Sequence, residues 1–273
     1  MIFKTDKDGF IINEGDLSKI QPEYRGILEE IKKCSIENLG KKLLGIYIRG
    51  SVSTGKAVRG ISDIDTVIIS KGKIPRKDRF WSVKLSKDLE RKYPFIEGAD
   101  ITIVGSKDIL TSKKYFGLRV NLVTQSVNLY GKEILHRTKT PKPGIELSKK
   151  MLDGMESELT YLRRIFKGEI KKPEYNDRRR PTKFWCIWMA RTMLRGGMGI
   201  LMLKRPVYSR DLKDCLELFS KEYPEYKKYM EKAYFWSMHS TSNKSELVNY
   251  IDDFGPKLLE IWKNNLITFK KPK

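Results

Sequence analysis

The sequence predicts an α/β domain followed by an all-α domain. The first half of the 273-residue chain alternates helical and strand patterns, whereas only helical patterns follow a segment with two prolines and a glycine at 137–144. Such a segment is typical of a linker. At roughly 150 residues per domain, the length also fits two domains. We therefore expect domains at 1–138 and 145–273.

Three strands are predicted in the α/β domain, because short apolar runs with β-branched residues lie between turn signals. They span 43–48, 63–70 and 100–104. The helices expected around them are 21–39, a short helix from Gly50-Ser51, 76–93 and 116–130. This alternating order indicates a sheet with helices packed on it.

The second domain is predicted to contain long amphipathic helices, at 145–167, 182–203, 209–221 and 224–238, with a last helix that aligns Leu247, Ile251, Phe254, Leu258 and Ile261. Gly255-Pro256 is expected to kink or divide that helix, since proline lacks the amide donor. Gly196-Gly197 is expected to end or bend an earlier one. One face there carries Trp185, Trp188, Met189 and Thr192, which fits core packing or an acceptor-stacking surface.

The chain is strongly basic, with 55 Lys plus Arg against 34 Asp plus Glu and a formal charge of +21. Residues 1–140 carry 27 basic and 17 acidic side chains, and residues 141–273 carry 28 and 17, so the excess is spread evenly. A positive potential over the whole protein favours anionic partners such as nucleotides or nucleic acid. A lysine-rich proteome would explain the same balance.

Several classes of site are disfavoured by the composition. The three cysteines are scattered without a C-x-x-C pair, and the two histidines, His136 and His239, are far apart, so we expect neither a zinc site nor a histidine-dependent triad. Carboxylates are the expected catalytic groups. No apolar run is long enough to cross a bilayer, and the first ten residues lack a signal-peptide pattern, so we expect no membrane association and a cytoplasmic location.

The most informative segment joins Gly50-Ser51 to Asp63-Ile64-Asp65 through an eleven-residue spacer. Glycine permits a close backbone approach, and a helix beginning there would offer free amides to a phosphate. Side chains two apart on a strand share a face, so Asp63 and Asp65 point the same way. Paired carboxylates beside a phosphate cradle form a hard oxygen site suited to Mg²⁺.

A third acid is expected from the next strand, which begins at Asp100. If that strand lies beside the second, its carboxylate joins the other two, and such a trio requires a cation to offset the repulsion. Glu97 is the competing candidate. One of the acids is also available as a general base toward an acceptor hydroxyl.

These residues resemble the signature of the polymerase-beta-like nucleotidyltransferase superfamily: Gly-Ser, a spacer, Asp-apolar-Asp and a third acid on a later strand. The segment from Val127 to Leu135 resembles its V-x-LYG-x-x-L pattern, and the two-domain order looks like the streptomycin- and spectinomycin-type aminoglycoside nucleotidyltransferases and minimal nucleotidyltransferases. The resemblance implies a nucleotidyltransferase fold with a mixed sheet before a helical bundle. It also implies transfer of a nucleoside monophosphate, with AMP from ATP as the expected case, to a hydroxyl.

In that superfamily the acids hold two Mg²⁺ ions and pyrophosphate is released, which implies both metal-binding and catalytic roles for Asp63, Asp65 and Asp100. Glutamate is frequent as the third acid in the streptomycin-type branch, so the shorter Asp100 leaves open whether it is a base or only a metal ligand. Gly50 and Ser51 are implied to hold the β- and γ-phosphates.

Two further cations are candidate nucleotide-binding residues. Arg210 follows Ser209 where the streptomycin-type branch has Ser-Lys, and a guanidinium binds phosphate bidentately. An ordinary helix cap, with Ser209 at the N-cap and Asp211 in the first turn, is the alternative. Lys56 lies six residues after Gly50 and could reach a phosphate or remain solvated, as could Arg49 and Arg59. Arg191 and Arg195 are better candidates for facing the interdomain cleft.

The acceptor stays open at this level. A small aminocyclitol-type molecule fits the resemblance and is slightly preferred, with acids available at Glu156, Glu158, Glu217 and Glu222. RNA would make better use of the positive charge, and Arg178, Arg179, Arg180 and Lys183 could contact it, although no RNA-binding module is recognisable. A protein acceptor, as in nucleotidylating toxins, and a nucleotide-sensing module without turnover are the remaining alternatives. The sequence does not indicate the oligomeric state.

Overall fold

The computed structural model describes residues 2–135, 138–171, 173–175 and 178–270. Their contacts form two compact units, of which the first is Ile12–Thr140. The second contains Pro141–Tyr175 and the chain from Arg179 onward, together with the described residues up to Ile11. The N-terminal segment is held in this second unit by Phe3, whose amide donates to the Tyr208 carbonyl at 2.9 Å and whose ring stacks on Tyr208.

A mixed sheet organises the first unit, as predicted, but it has four strands and not the three expected. In chain order its elements are α1 (Pro22–Leu39), β1 (Leu43–Arg49), β2 (Ile64–Ser70), α2 (Phe80–Lys92), β3 (Ala99–Gly105), α3 (Ser106–Thr111), α4 (Phe116–Gln125) and β4 (Ser126–Gly131). The strand order is β3-β2-β1-β4. β2 and β3 run parallel, while β1 is antiparallel to both β2 and β4. The start of β2 and β3 therefore lies at the same end of the sheet as the end of β1.

Two predictions for this unit are wrong. Residues 126–130, expected to continue a helix, form β4, because Val127 and Tyr130 pair with β1 and the ladder hydrogen bonds override a helical apolar pattern. The segment from Gly50 forms consecutive turns up to Gly55 instead of beginning a short helix. The helix α3 was not predicted at all.

Alternation along the strands supplies a core on each face of the sheet. Ile46 and Ile48 pack on one side with α1 and α2, whereas Tyr47 between them packs on the other side with α3 and α4. The first core also contains Ile27, Ile31, Ile64, Ile68 and Leu89, and the second contains Val67, Ile69, Ile109, Leu122 and Val123. The sheet is thus covered on both faces, which leaves its strand ends as the sites where polar side chains can gather.

The second unit is a helical bundle, as predicted. Its elements are α5 (Ile145–Leu152), α6 (Met155–Lys167), β5 (Glu174–Tyr175), β6 (Arg178–Arg179, whose first residue is grouped with the first unit), α7 (Thr182–Leu201), α8 (Leu212–Glu222), α9 (Lys227–Met238) and α10 (Lys244–Lys270). The central helix is α7, which contacts all the other helices of the unit. Within the described residues, no helix has both the length and the apolar run needed to cross a membrane.

The structure contradicts one prediction about helix ends and decides part of two others. The helix expected over 145–167 is divided into α5 and α6 at Asp153-Gly154, while α7 continues through Gly196-Gly197. The glycines there serve close packing, since a Cβ on Gly197 would lie 2.9 Å from the Phe219 side chain. Pro256 does not divide α10, whose neighbouring Phe254 and Leu258 are fully buried. Tertiary packing compensates for the amide donor that proline lacks.

Candidate active site

Three carboxylates converge at one end of the sheet. Asp65 and Asp100 are register partners on the parallel strands β2 and β3, and Asp63 immediately precedes β2. Asp63, Asp65 and Asp100 each offer an oxygen within 4.8 Å of the others, and all three are half-buried. Glu97, the competing candidate, is not part of this group. The arrangement follows from strand alternation, which directs Ile64 into the core and the acids on either side of it to the opposite face.

Arg49 extends this row onto β1. It is the register partner of Asp65, and its Nη2 lies 2.6 Å from the Asp65 Oδ1, with both side chains only 17% exposed. One guanidinium thus offsets part of the mutual repulsion of three carboxylates. The sequence suggested Arg49 only as a phosphate contact or a solvated residue. Arg59, considered with it, instead lies over the Phe95 ring at 4.6 Å.

The Gly50-Ser51 turn adjoins the acids. Gly50 has a φ of +78°, a left-handed conformation that favours glycine, and a Cβ built on it would lie 3.4 Å from the Asp65 Oδ2. Its amide donates to the Gln125 carbonyl at 3.0 Å, and its carbonyl accepts from the Thr54 hydroxyl at 3.0 Å. The backbone of the turn therefore lies directly against one carboxylate. Its contact with phosphate, expected from the sequence, stays a prediction.

A supporting segment at 13–19 was missed from the sequence. The Asn13 side-chain amide donates to the Ser126 carbonyl at 2.9 Å, and the Asp16 amide donates to the Ser53 carbonyl at 2.9 Å. These bonds connect the start of β4 to the Gly50–Gly55 turn. The signal in the sequence was Asn13-Glu14-Gly15-Asp16, a cluster of turn-forming residues that carries no chemistry of its own.

Gly15→Ala is expected to destabilise the first unit. A Cβ at Gly15 would lie 2.3 Å from the Ser126 carbonyl oxygen, so the backbone must move away from β4. We expect a loss of about 1–3 kcal/mol in the free energy of unfolding, typical of overpacking against fixed atoms. Denaturant unfolding of the wild type and the variant measures this loss in free energy. Gly60→Ala is the matched control, because both positions lie in loops of this unit and no atom lies within 4 Å of a Cβ at Gly60. Gly60→Ala adds backbone strain of its own, because Gly60 has a φ of +75°. An equal loss of stability in both variants would contradict the steric explanation.

Lys56, predicted to contact phosphate, forms an ion pair in the structure. Its Nζ lies 2.9 Å from the Glu14 Oε2, and its amide donates to the Ser51 carbonyl at 2.9 Å. The side chain is 46% exposed, so this pair is weak and exchanges readily with another anion. A phosphate role for Lys56 therefore requires it to leave Glu14.

A group of arginines lies in the helical unit. The Nε atoms of Arg191 and Arg195 on α7 are buried and have no hydrogen-bond partner among the described residues, and the same holds for the Tyr208 hydroxyl. Burial lowers the pKa of Arg195 well below its usual value, and the positive charges of Arg210 and Arg191 lower it further. Such a cluster is electrostatically unfavourable without an anion beside it.

Arg210 precedes the N-terminus of α8. The N-cap is Asp211, whose Oδ1 accepts from the Lys213 and Asp214 amides at 2.9 and 3.1 Å. Ser209, the cap residue in the alternative interpretation, instead accepts from the Asp211 amide and donates to Asp214 through its hydroxyl. The N-cap of α8 is thus formed by Asp211, and a phosphate-binding role for Arg210 stays a prediction.

The acids proposed for a cationic acceptor already have partners. Glu158 accepts hydrogen bonds from Trp188 Nε1 and the Thr192 hydroxyl, the latter at 2.8 Å. The other three lie near lysines, with Glu222 at 2.7 Å from Lys204, Glu156 at 3.6 Å from Lys263 and Glu217 at 3.7 Å from Lys213. Trp185 and Met189 are buried in the bundle core. Their burial favours core packing over acceptor stacking for the α7 face that carries Trp185, Trp188, Met189 and Thr192.

Within the described residues, the histidines and cysteines of the chain are not members of the acid group. His136 lies outside the described residues, and His239 caps α9 with its ring 5.0 Å from Phe235. Burial raises the pKa of the Cys215 thiol to about 12, so it stays protonated near neutral pH. The side chain of Arg178 and the segment at 176–177 are not described, so the basic surface expected there remains a prediction.

Comparisons with known proteins agree with this geometry. Residues 28–124 match the family described as "Nucleotidyltransferase domain". The fold is similar to that of the spectinomycin adenyltransferase AAD(9) from Enterococcus faecialis, determined with ATP and spectinomycin, at 13% identity and a TM-score of 0.52, covering 87% of this chain and 98% of that one. No curated protein matches the chain in sequence.

A toxin-antitoxin structure with AMP-PNP covers 52% of this chain and 96% of its own, at 22% identity and a TM-score of 0.29, a similarity too low to support an inference. The family match runs from within α1 to within α4 and includes all three acids and the Gly50-Ser51 turn. The chain therefore carries a nucleotidyltransferase domain of the polymerase-beta-like superfamily, and by that domain it is a nucleotidyltransferase.

Proposed function

We propose that this protein is a Mg²⁺-dependent enzyme that transfers a nucleoside monophosphate, AMP from ATP in the expected case, to a hydroxyl of a small-molecule acceptor. The observation that carries the proposal is the convergence of Asp63, Asp65 and Asp100 within 4.8 Å beside the Gly50 turn. A structural relative determined with ATP and spectinomycin supports a nucleotide donor and a small acceptor.

The acid group fits divalent metal by its donors and its charge. It presents three carboxylates, the hard oxygen ligands that Mg²⁺ prefers, and Arg49 compensates part of their charge. Asp63, Asp65 and Asp100 would hold the two ions expected from the superfamily. Bound there, divalent metal supplies positive charge to phosphate oxygens and to the developing charge of the displacement.

The protein's own groups then position the reactants. The Gly50-Ser51 turn holds the β- and γ-phosphates close to Asp65, and Lys56 exchanges Glu14 for phosphate. An acceptor hydroxyl oxygen forms a bond to the α-phosphorus, and the bond to pyrophosphate breaks. Asp100 accepts the proton of that hydroxyl, a role that requires an oxygen of Asp100 left free of metal.

Arg210→Ala is expected to raise the KM for ATP about tenfold while changing kcat little. The proposed role of Arg210, with Arg191 and Arg195, is to bind the triphosphate, and a charge-assisted hydrogen bond is worth about 1.5–3 kcal/mol. Lys213→Ala on α8 is the matched control, since Lys213 is exposed and lies 3.7 Å from Glu217. A KM unchanged in Arg210→Ala would contradict the phosphate-binding role.

The experiment that tests the proposed function is incubation with each α-³²P-labelled NTP and Mg²⁺, with a small-molecule library or total RNA as acceptor. We expect the wild-type protein to transfer label to a small molecule and the Asp63→Asn variant to transfer none. Nucleotide binding without transfer to any acceptor would favour a nucleotide-sensing protein instead.

RNA is the second candidate acceptor, and two observations favour it. The formal charge of +21 suits a polyanion, and the four acids considered for a cationic acceptor already have hydrogen-bond or lysine partners. Label recovered on RNA in the same assay, with none on small molecules, would establish this alternative.

A further inference from the structure

The end of the sheet opposite the three acids is rich in lysine. At that end Leu43 pairs with Ser70, Ser70 pairs with Gly105, and Gly131 pairs with Gly45. Six lysines lie just before or just after the strands at this end. We call them the lysine edge: Lys41, Lys42, Lys71, Lys73, Lys107 and Lys132. β2 and β3 are seven residues long, so about 20 Å separates this edge from the acids.

Backbone contacts bring these lysines together although they come from four parts of the chain. The Lys71 amide donates to the Lys42 carbonyl at 2.8 Å, and the Lys132 amide donates to the Leu44 carbonyl at 2.8 Å. A Cβ built on Gly105 would lie 3.3 Å from the Lys73 nitrogen, which places Lys73 beside the end of β3. Strands lie about 4.8 Å apart, so the edge extends over about 14 Å.

The lysine edge has little compensating negative charge. All six lysines are exposed, and within the described residues none forms an ion pair. By contrast, Lys56 and Lys92 of the same unit pair with glutamates. The acids adjoining the edge in sequence are Asp108 and Glu133, and Glu133 accepts hydrogen bonds from the Tyr47 hydroxyl and the Leu135 amide. With six exposed lysines against these two acids, the edge carries a net positive charge that faces solvent.

An exposed aromatic ring adjoins these charges. Tyr130 lies on the edge strand β4, two residues before Lys132, and is 42% exposed. Lysines along a groove or edge together with an exposed ring are the usual elements of single-strand binding, where phosphates bind the cations and an unpaired base stacks on the ring. The sequence showed no such combination, because β4 was expected to be helical.

We propose that the lysine edge binds the phosphate backbone of single-stranded RNA, with a base stacked on Tyr130. A span of about 14 Å accommodates a few successive phosphates of a single strand. This surface is separate from the acids, so the proposal does not depend on the proposed nucleotidyl transfer. An RNA bound at the edge would need several further nucleotides to reach the acid end of the sheet.

The test measures binding of a fluorescent twelve-nucleotide single-stranded RNA in EDTA without nucleotide, over a series of salt concentrations. For Lys42/Lys71/Lys132→Glu we expect at least about tenfold weaker binding at 100 mM salt and a slope of log affinity against log salt reduced by about 2. Tyr130→Ala should weaken binding several-fold and leave that slope unchanged. Circular dichroism and thermal unfolding confirm that each variant is folded.

Lys221/Lys228/Lys244→Glu is the matched control, since it makes the same change in net charge with exposed lysines of the helical unit. Equal weakening in both triple variants would overturn the proposal, because it would show a response to overall charge alone. A second result would also overturn it. The wild type would bind vesicles with 30% anionic lipid but not RNA, and Lys42/Lys71/Lys132→Glu would lose the vesicle binding. Asp63→Asn should bind RNA like the wild type, which separates this result from any failure of transfer.

Discussion

Asp63→Asn is expected to lower the rate of nucleotidyl transfer on the order of 10³-fold while the protein stays folded. The substitution keeps the size of the side chain and removes one of three carboxylates whose oxygens lie within 4.8 Å of each other. Asp63 is half-buried and precedes β2, so the sheet does not depend on its charge. Mg²⁺-dependent pyrophosphate release measures the rate, and calorimetry with Mn²⁺ should show weaker metal binding.

The matched control is Asp78→Asn, which removes an exposed carboxylate of the same unit outside the acid group. We expect it to retain the wild-type rate and metal affinity. Wild-type turnover in a correctly folded Asp63→Asn protein would show that the acid group is not the catalytic centre.

Arg49→Met is expected to make the stability of the protein depend more strongly on Mg²⁺. Without the guanidinium 2.6 Å from Asp65, the repulsion among three half-buried carboxylates is less compensated. We expect a loss of about 1–3 kcal/mol in the metal-free protein, since breaking a partly buried charge pair leaves an uncompensated charge. Added Mg²⁺ should restore much of it.

Thermal unfolding with EDTA and with Mg²⁺ measures this effect. Arg59→Met is the control, because Arg59 lies over the Phe95 ring in the same unit. The Mg²⁺-induced increase in Tm should be larger in Arg49→Met than in the wild type, whereas Arg59→Met should resemble the wild type. An equal increase in all three proteins would contradict the electrostatic role of Arg49.

Most elements of the first unit could be predicted because their signals are local. The strands at Leu43–Arg49 and Ile64–Ser70 are apolar runs between turn residues, and α1 begins at a proline. β4 could not be predicted in this way, since its apolar positions fit a helix and its strand conformation depends on pairing with β1. In the same way, the continuity of α7 through Gly196-Gly197 depends on side chains from α6, α8, α9 and α10 that pack against those glycines.

The acid group could be predicted because strand alternation alone brings Asp63 and Asp65 onto one face. Adding Asp100 needed only the assumption that its strand is adjacent to β2, which the register confirms. The pairing of Arg49 with Asp65 was missed, since it requires the antiparallel register of β1 on β2. The segment at 13–19 was missed for the same reason, because its contacts are with residues 37 or more positions away.

The central claim is that the three acids serve nucleotidyl transfer rather than phosphoryl transfer. The most direct measurement compares α-³²P-ATP with γ-³²P-ATP under identical conditions, with Mg²⁺ and the acceptor that becomes labelled. We expect the α label on the acceptor and the γ label only in released pyrophosphate. The γ label on the acceptor, with the α label remaining in ADP, would contradict the account.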